Sequence, residues 1–160
     1  MVNLLGVLHS DSGKPYGKRF KLNHVEFPKA LCAAMARQHV KRIVHISALG
    51  IGVENPAPSM YLRSKTDGEA AVKDSATHWT ILRPSVVFGR HDNFLNMFAK
   101  LSMLAPVMPL AGAHAKFQPV FVGDVAKAVL ACLTDKNRDT LHSTFDLVGP
   151  EVDRKSTRLN

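Results

Sequence analysis

"KRIVHISALG", residues 41–50, decides the fold. Its apolar, β-branched run lacks the strict polar alternation of a half-exposed strand, and such a run belongs to a strand covered by helices on both faces. Helical patterns flank it. Upstream, "VEFPKALCAAMARQHV" (25–40) predicts a helix with Phe27, Leu31, Ala34 and Met35 on one face. Pro28 belongs in its first turn, where a missing N–H costs little. Downstream, "GVENPAPS" (52–59) predicts a loop, and Tyr61 to about Asp74 is rich in the helix formers alanine, glutamate and lysine.

The alternation continues in both directions. "VNLLGVL" (2–8) predicts a buried strand, followed by a polar loop through Lys21. "HWTILRPSVVFG" (78–89) predicts a third strand, halted by Pro84. "NFLNMFAKLSML" (93–104) is apolar nearly all round a helix, a pattern of burial or partner packing. "FQPVFVG" (117–123) predicts a short strand, Asp124 the N-cap of the helix "VAKAVLACL" (125–133), and "STFDLVG" (143–149) a last strand. Strands alternating with helices make an α/β fold with a mostly parallel, right-handed, doubly wound sheet of Rossmann type. Ligands of such sheets lie beyond the carboxyl ends of the strands. That rule selects Gly6, Ser47 to Gly50, and Pro84 to Val87.

Composition narrows the class. At 160 residues, 46% hydrophobic and 21% charged, the chain fits one ordinary globular domain. No apolar run reaches the roughly 18 residues a membrane span needs, and the N-terminus lacks the basic region of a signal peptide. Cys32 and Cys132 stand singly in apolar helical patterns, as reduced core residues of a cytoplasm-like compartment. The net charge of +8 is spread along the chain as a solvated basic surface, without the aromatic interleaving that would suggest nucleic acid. Basicity alone is also compatible with acidic lipid or a phosphorylated ligand. The eight histidines, among them His24 and His45, show no metal-ligand spacing and read as surface or loop residues, with His9 able to face the site.

"YLRSK" (61–65) places Tyr61 and Lys65 on one helix face, on adjacent turns. An ammonium beside a phenol favours phenolate and lowers its pKa. A tyrosine so tuned can exchange a proton with a carbonyl or alcohol oxygen while hydride moves. Lysine can also hold ribose hydroxyls. Ser47, ending the preceding strand, could hold the substrate oxygen in the same pocket. The alternative is an ordinary pair on a helix surface.

The series "VNLLG", "VKRIVHISALG", "YLRSK", "ILRPSVVFGR" and "VFVGDVAKAV" resembles an atypical or extended short-chain dehydrogenase/reductase over about residues 1–152. Within that family, "HVEFPKAL" and "VVFGRHDNFLNMFAKL" are most similar to the branch of the NAD(P)H-binding accessory subunit of respiratory complex I and its bacterial homologues. The resemblance implies NAD or NADP as cofactor. It implies a proton-relay or ribose-binding role for Tyr61 and Lys65 and a substrate-oxygen role for Ser47. Pro84, Ser85 and Val86 would line the nicotinamide, and Leu5 and Gly6 would pass beside the ribose and pyrophosphate. Partners implied are the dinucleotide, respiratory-complex subunits or the membrane surface at its inner face, and no nucleic acid.

Two departures qualify this. The family's glycine-rich turn, which seats the pyrophosphate on a helix N-terminus, is missing, so the chain reads as the C-terminal portion of the sheet, truncated before its fourth strand. Residues 92–118 read as a short lid or substrate region, and 153–160, "DRKSTRLN", as an unstructured, non-native tail. Three functions stay open: a non-catalytic NAD(P)H-binding accessory or assembly subunit, favoured by "FGRHDNFLNMF"; a reductase or epimerase acting on a carbonyl or sugar-nucleotide through Ser47, Tyr61 and Lys65; and an inert fragment without the cofactor-phosphate site.

Overall fold

The computed structural model describes residues 1–53, 57, 59–76, 78–90, 116–150 and 153–154. Its centre is a four-stranded sheet of β1 (Val2–Asn3), β2 (Arg42–Ile46), β3 (His78–Pro84) and β7 (Ser143–Leu147), in that spatial order and parallel throughout. Val44 pairs with Val2 on one side and Thr80 on the other. The carboxyl ends of all four strands therefore fall along one edge of the sheet, as the sequence predicts.

Helices cover both faces. On one lie α1 (Lys18–Phe20), a π turn (Lys21–Glu26), α2 (Phe27–Arg37) and α3 (Met60–Ser75). Cys32 and Met35 of α2, Val72 of α3 and Ile43 of β2 form one core cluster there. On the other face α4 (Val122–Thr134) packs Cys132 against Val44 and Leu82. Alternate residues of β2 thus feed opposite cores, which is why its sequence is apolar without alternation. Both cysteines are free and buried.

Several boundaries differ from the sequence reading, each for a local reason. Only Val2–Asn3 of "VNLLGVL" is strand. The Asn3 side chain takes the Leu5 N–H through Oδ1 at 3.1 Å, and His24 takes the Val7 N–H at 3.0 Å, so the backbone leaves the ladder after Asn3. Leu4, Leu5 and Leu8 are consequently exposed. The helical segment begins at Lys18, not Val25, and widens to a π turn before Pro28. Its buried face is Pro28, Cys32 and Met35, while Phe27 is 41% exposed. The chain turns after β2 at Gly50 and Gly52, both at left-handed φ (91° and 85°). The helix α3 starts one residue before the expected Tyr61 because Ser59 caps it, its Oγ accepting from the Leu62 N–H at 3.1 Å.

Beyond Pro84 the chain forms β4 (Val87–Phe88), parallel to β6 (Val120–Phe121). The expected strand over 117–123 is split, since β5 (Lys116–Phe117) pairs antiparallel with β8 (Asp153–Arg154) instead. Two residues of the stretch read as an unstructured tail therefore sit in a ladder. Asp124 is not the N-cap of α4: it lies inside the first turn, 3.0 Å from Lys127 Nζ. The helix predicted over 93–104, most of the 92–118 lid and the rest of the tail lie outside the described residues.

Candidate functional site

The residues singled out from the sequence gather at the carboxyl ends of β1, β2 and β3. Ser47 follows β2 directly and is buried, its N–H donating to the Leu82 carbonyl of β3 at 2.7 Å. Its Oγ is buried and acts on the Glu69 carboxyl, which it helps to hold down. Pro84 ends β3 and is buried, with Ser85 and Val86 half-buried behind it. Leu5 and Gly6 lie exposed on the loop that leaves β1.

Lys65 projects from α3 onto this edge, buried to 3% exposure, its Nζ donating to the Ile46 carbonyl at the end of β2 at 2.8 Å. Burial pulls its pKa down to about 8, opposed by the carboxylate of Glu69 one turn on. Since an unperturbed lysine titrates at 10.5, the unfolded chain holds more protons between about 8 and 10.5, and this group's contribution to stability rises with pH across that window. The buried thiols of Cys32 and Cys132, pushed above their ordinary 9.0, act in the opposite sense at high pH. The clean quantity is therefore the difference in melting temperature between wild type and Lys65→Met. Wild type should gain on the variant from pH 8 to 10, whereas parallel curves would show an ammonium that is not desolvated.

Tyr61 does not behave as the pair reading expects. Burial lifts its phenol above the ordinary value, and Lys65 does not pull it down. Its ring packs edge-on against Phe20 and His24, with centroids 6.0 and 5.5 Å away. A raised pKa keeps the phenol protonated across the neutral range.

Four polar residues escaped the sequence reading: Glu69, Arg83, His24 and His45. Glu69, 3% exposed, receives a two-pronged contact from Arg83 of β3, with Nε to Oε1 at 2.8 Å and Nη2 to Oε2 at 2.7 Å. Burial alone would raise this carboxyl, but Arg83, helped by Ser47 and Lys73, holds it below the usual range. His24 and His45 are not surface residues: they are 2% and 1% exposed. His45 Nδ1 faces the Asn3 amide nitrogen at 3.0 Å, so the ring proton belongs on Nε2, which is buried without a partner. Burial and the Lys65 charge hold both rings neutral, at about 4 for His24 and about 3 for His45. The position of His45 inside the buried run of β2, two residues before Ser47, was the available signal: residues i and i+2 of a strand share a face. His9, by contrast, is exposed.

The strand order, the lysine fixed on a strand end and the serine beside it meet a matching sequence profile. Residues 9–96 match the NAD(P)H-binding family. The chain belongs to that family, among the atypical short-chain dehydrogenase/reductases. Residues 53–155 of this dehydrogenase/reductase domain also match the RmlD substrate binding domain. Its sequence is 38% identical over 125 residues to the Arabidopsis thaliana mitochondrial NADH dehydrogenase [ubiquinone] 1 alpha subcomplex subunit 9, covering 75% of this chain and 30% of that protein. The Rattus norvegicus counterpart is 38% identical over 128 residues, covering 79% and 33%. The chain thus spans about a third of these curated relatives. In fold it is similar to a dTDP-4-dehydrorhamnose reductase ortholog from Clostridium acetobutylicum (TM-score 0.75, 21% identity, covering 96% of this chain and 56% of that one). It is also similar to the human epimerase family protein SDR39U1 with NADPH (TM-score 0.73, 20% identity, covering 96% and 58%).

Proposed function

We propose that this chain supplies the nicotinamide-ribose side of an NAD(P)H site and serves as an accessory or assembly subunit beside a respiratory complex rather than as an independent dehydrogenase. The observation that carries this is Lys65: a buried ammonium, 2.8 Å from a strand-end carbonyl, with the buried Ser47 next along that strand end. Spare donors at the carboxyl ends of parallel strands suit the hydroxyl-rich ribose of a dinucleotide. Lys65 and Tyr61 would hold the ribose, Pro84, Ser85 and Val86 would border the nicotinamide, and Leu5 and Gly6 would lie toward the pyrophosphate. The bound nicotinamide would supply hydride chemistry. The raised pKa of Tyr61 favours the accessory role, because a proton relay at neutral pH needs a phenol nearer to that pH. The likeness to subunits of NADH dehydrogenase supports a respiratory partner. Among the described residues no helix is long and apolar enough to cross a membrane, which fits a peripheral place at its surface.

A second reading has its own support. Ser47 and Lys65 meet at the end of β2, Tyr61 lies one turn before Lys65 on α3, and the structural relatives include reductases and epimerases. Here Ser47 would hold a substrate carbonyl oxygen, and Tyr61 would pass its proton to it.

No G-x-G-x-x-G turn stands in this sequence, so the pyrophosphate lacks its usual seat and affinity is expected to be weak. Fluorescence titration with NADPH tests the assignment. Binding should be weaker than micromolar and should fall about tenfold further in Lys65→Met, the loss of one charge-assisted hydrogen bond. Equal affinity in both proteins would remove Lys65 from the site, and micromolar binding by this chain would overturn the expected weakness.

A further inference from the structure

We infer that His24 is a positioning residue, a neutral bracket that fixes the loop leaving β1 against helix α3. Its ring is bonded at both nitrogens. The Val7 N–H donates to Nε2 at 3.0 Å, so that nitrogen carries no proton. The proton belongs on Nδ1, which donates to Ser64 Oγ at 2.7 Å, and Ser64 in turn donates to the Tyr61 carbonyl at 2.8 Å. One relay of hydrogen bonds therefore runs from the backbone of the β1 loop to the first turn of α3, where Tyr61 and Lys65 begin. The ring is clamped sideways as well, stacked on Phe20 with centroids 5.2 Å apart and met edge-on by Tyr61.

The bracket has a sensible purpose in the fold. The loop has left its strand after Asn3, so no ladder fixes Leu5 and Gly6 relative to α3. Farther along, Tyr16 donates to Asp67 Oδ2 at 2.6 Å, and Arg63 Nε donates to the Pro15 carbonyl at 2.9 Å, both exposed. His24 makes the buried link, and it is the one next to Leu5 and Gly6. Only the neutral ring, protonated at Nδ1, can make both bonds. An imidazolium would turn Nε2 into a donor facing a donor. Its consequence for ligand binding rests on the proposal that this loop flanks a dinucleotide; the bracket itself does not.

Nitrogen-15 spectra of the histidine rings at neutral pH, with backbone amide exchange, test it on the full chain. The expected result is His24 protonated at Nδ1 alone, and a Val7 amide that exchanges about fivefold or more faster in His24→Phe, which keeps the ring but loses the acceptor. His24→Gln, whose amide oxygen can stand in for Nε2, should restore most of the protection. NADPH affinity should follow the same order, falling in the Phe variant and recovering in the Gln variant. A wild-type ring protonated at Nε2, or Val7 exchange unchanged in His24→Phe, would overturn the inference. Should the Phe variant fail to fold, the wild-type tautomer and the Gln variant still decide. Failure of every protein to bind NADPH, with the exchange pattern intact, would refute the nucleotide site and leave the bracket standing.

Discussion

Arg83→Met should destabilise the domain by about 3–5 kcal/mol, the usual consequence of stranding one member of a buried ion pair. Glu69 is 3% exposed, and Arg83 grips both of its oxygens. Lys73 stands 3.8 Å away on the solvent side and cannot replace a two-pronged guanidinium. Arg83 Nη1 also donates to the Ile51 carbonyl at 3.1 Å, so the loop between β2 and α3 would lose an anchor. The effect should depend on pH in a definite direction. The Glu69 carboxyl is held below its ordinary 4.5 in the folded chain, so its contribution is present above that value and is lost as pH falls through the folded pKa. The gap between wild type and Arg83→Met should therefore narrow in acid. Urea unfolding at pH 7 and pH 4 measures both. A loss under about 1 kcal/mol at pH 7 would mean that Glu69 is hydrated.

Gly68→Ala should also destabilise, by about 2 kcal/mol, although alanine in a helix interior ordinarily gains about 1 kcal/mol over glycine. A Cβ at Gly68 would overlap the carbonyl oxygen of His24, a backbone atom that no rotamer change can move. That oxygen sits in the π turn, four residues before Pro28, which has no N–H to offer it. Helix α3 approaches through the missing side chain. The substitution must push α3 off the π turn, and Tyr61 and Lys65 would move with it. Thermal unfolding tests the sign, since a stabilised Gly68→Ala would show that the two helices have room between them.

Much of the fold was legible because β2, β3 and α3 carry their signals locally. The run "RIVHI" has no solvent face to mark, Pro84 ends a strand, and the stretch from Tyr61 is rich in helix formers. β1 was misjudged because its shortness is decided by side chains: Asn3 captures an N–H that a longer ladder would need, and the partner that holds Val7 is 17 residues away. The early start of the helical segment was hidden because a π turn breaks the 3.6-residue period on which the reading relied. Ser47 and Lys65 lie together at the end of β2, as strand ends and helix spacing lead one to expect. His24, Glu69 and Arg83 were missed because their importance lies in pairings across elements, which spacing along the chain does not express. Tyr61 shows the limit of a motif. Its spacing to Lys65 is correct, yet burial raises its phenol and the lysine does not pull it down.

On the proposed function, the strand-end cluster around Lys65 is a nucleotide site. Its most direct test is a nitrogen-15 NMR titration of the full chain with NADPH. Shifts are expected at Leu5, Gly6, Ser47, Tyr61, Lys65 and Ser85 with Val86 and nowhere else, saturating together, and needing about tenfold more NADPH in Lys65→Met. Shifts centred elsewhere, or an unchanged titration midpoint in Lys65→Met, would contradict it.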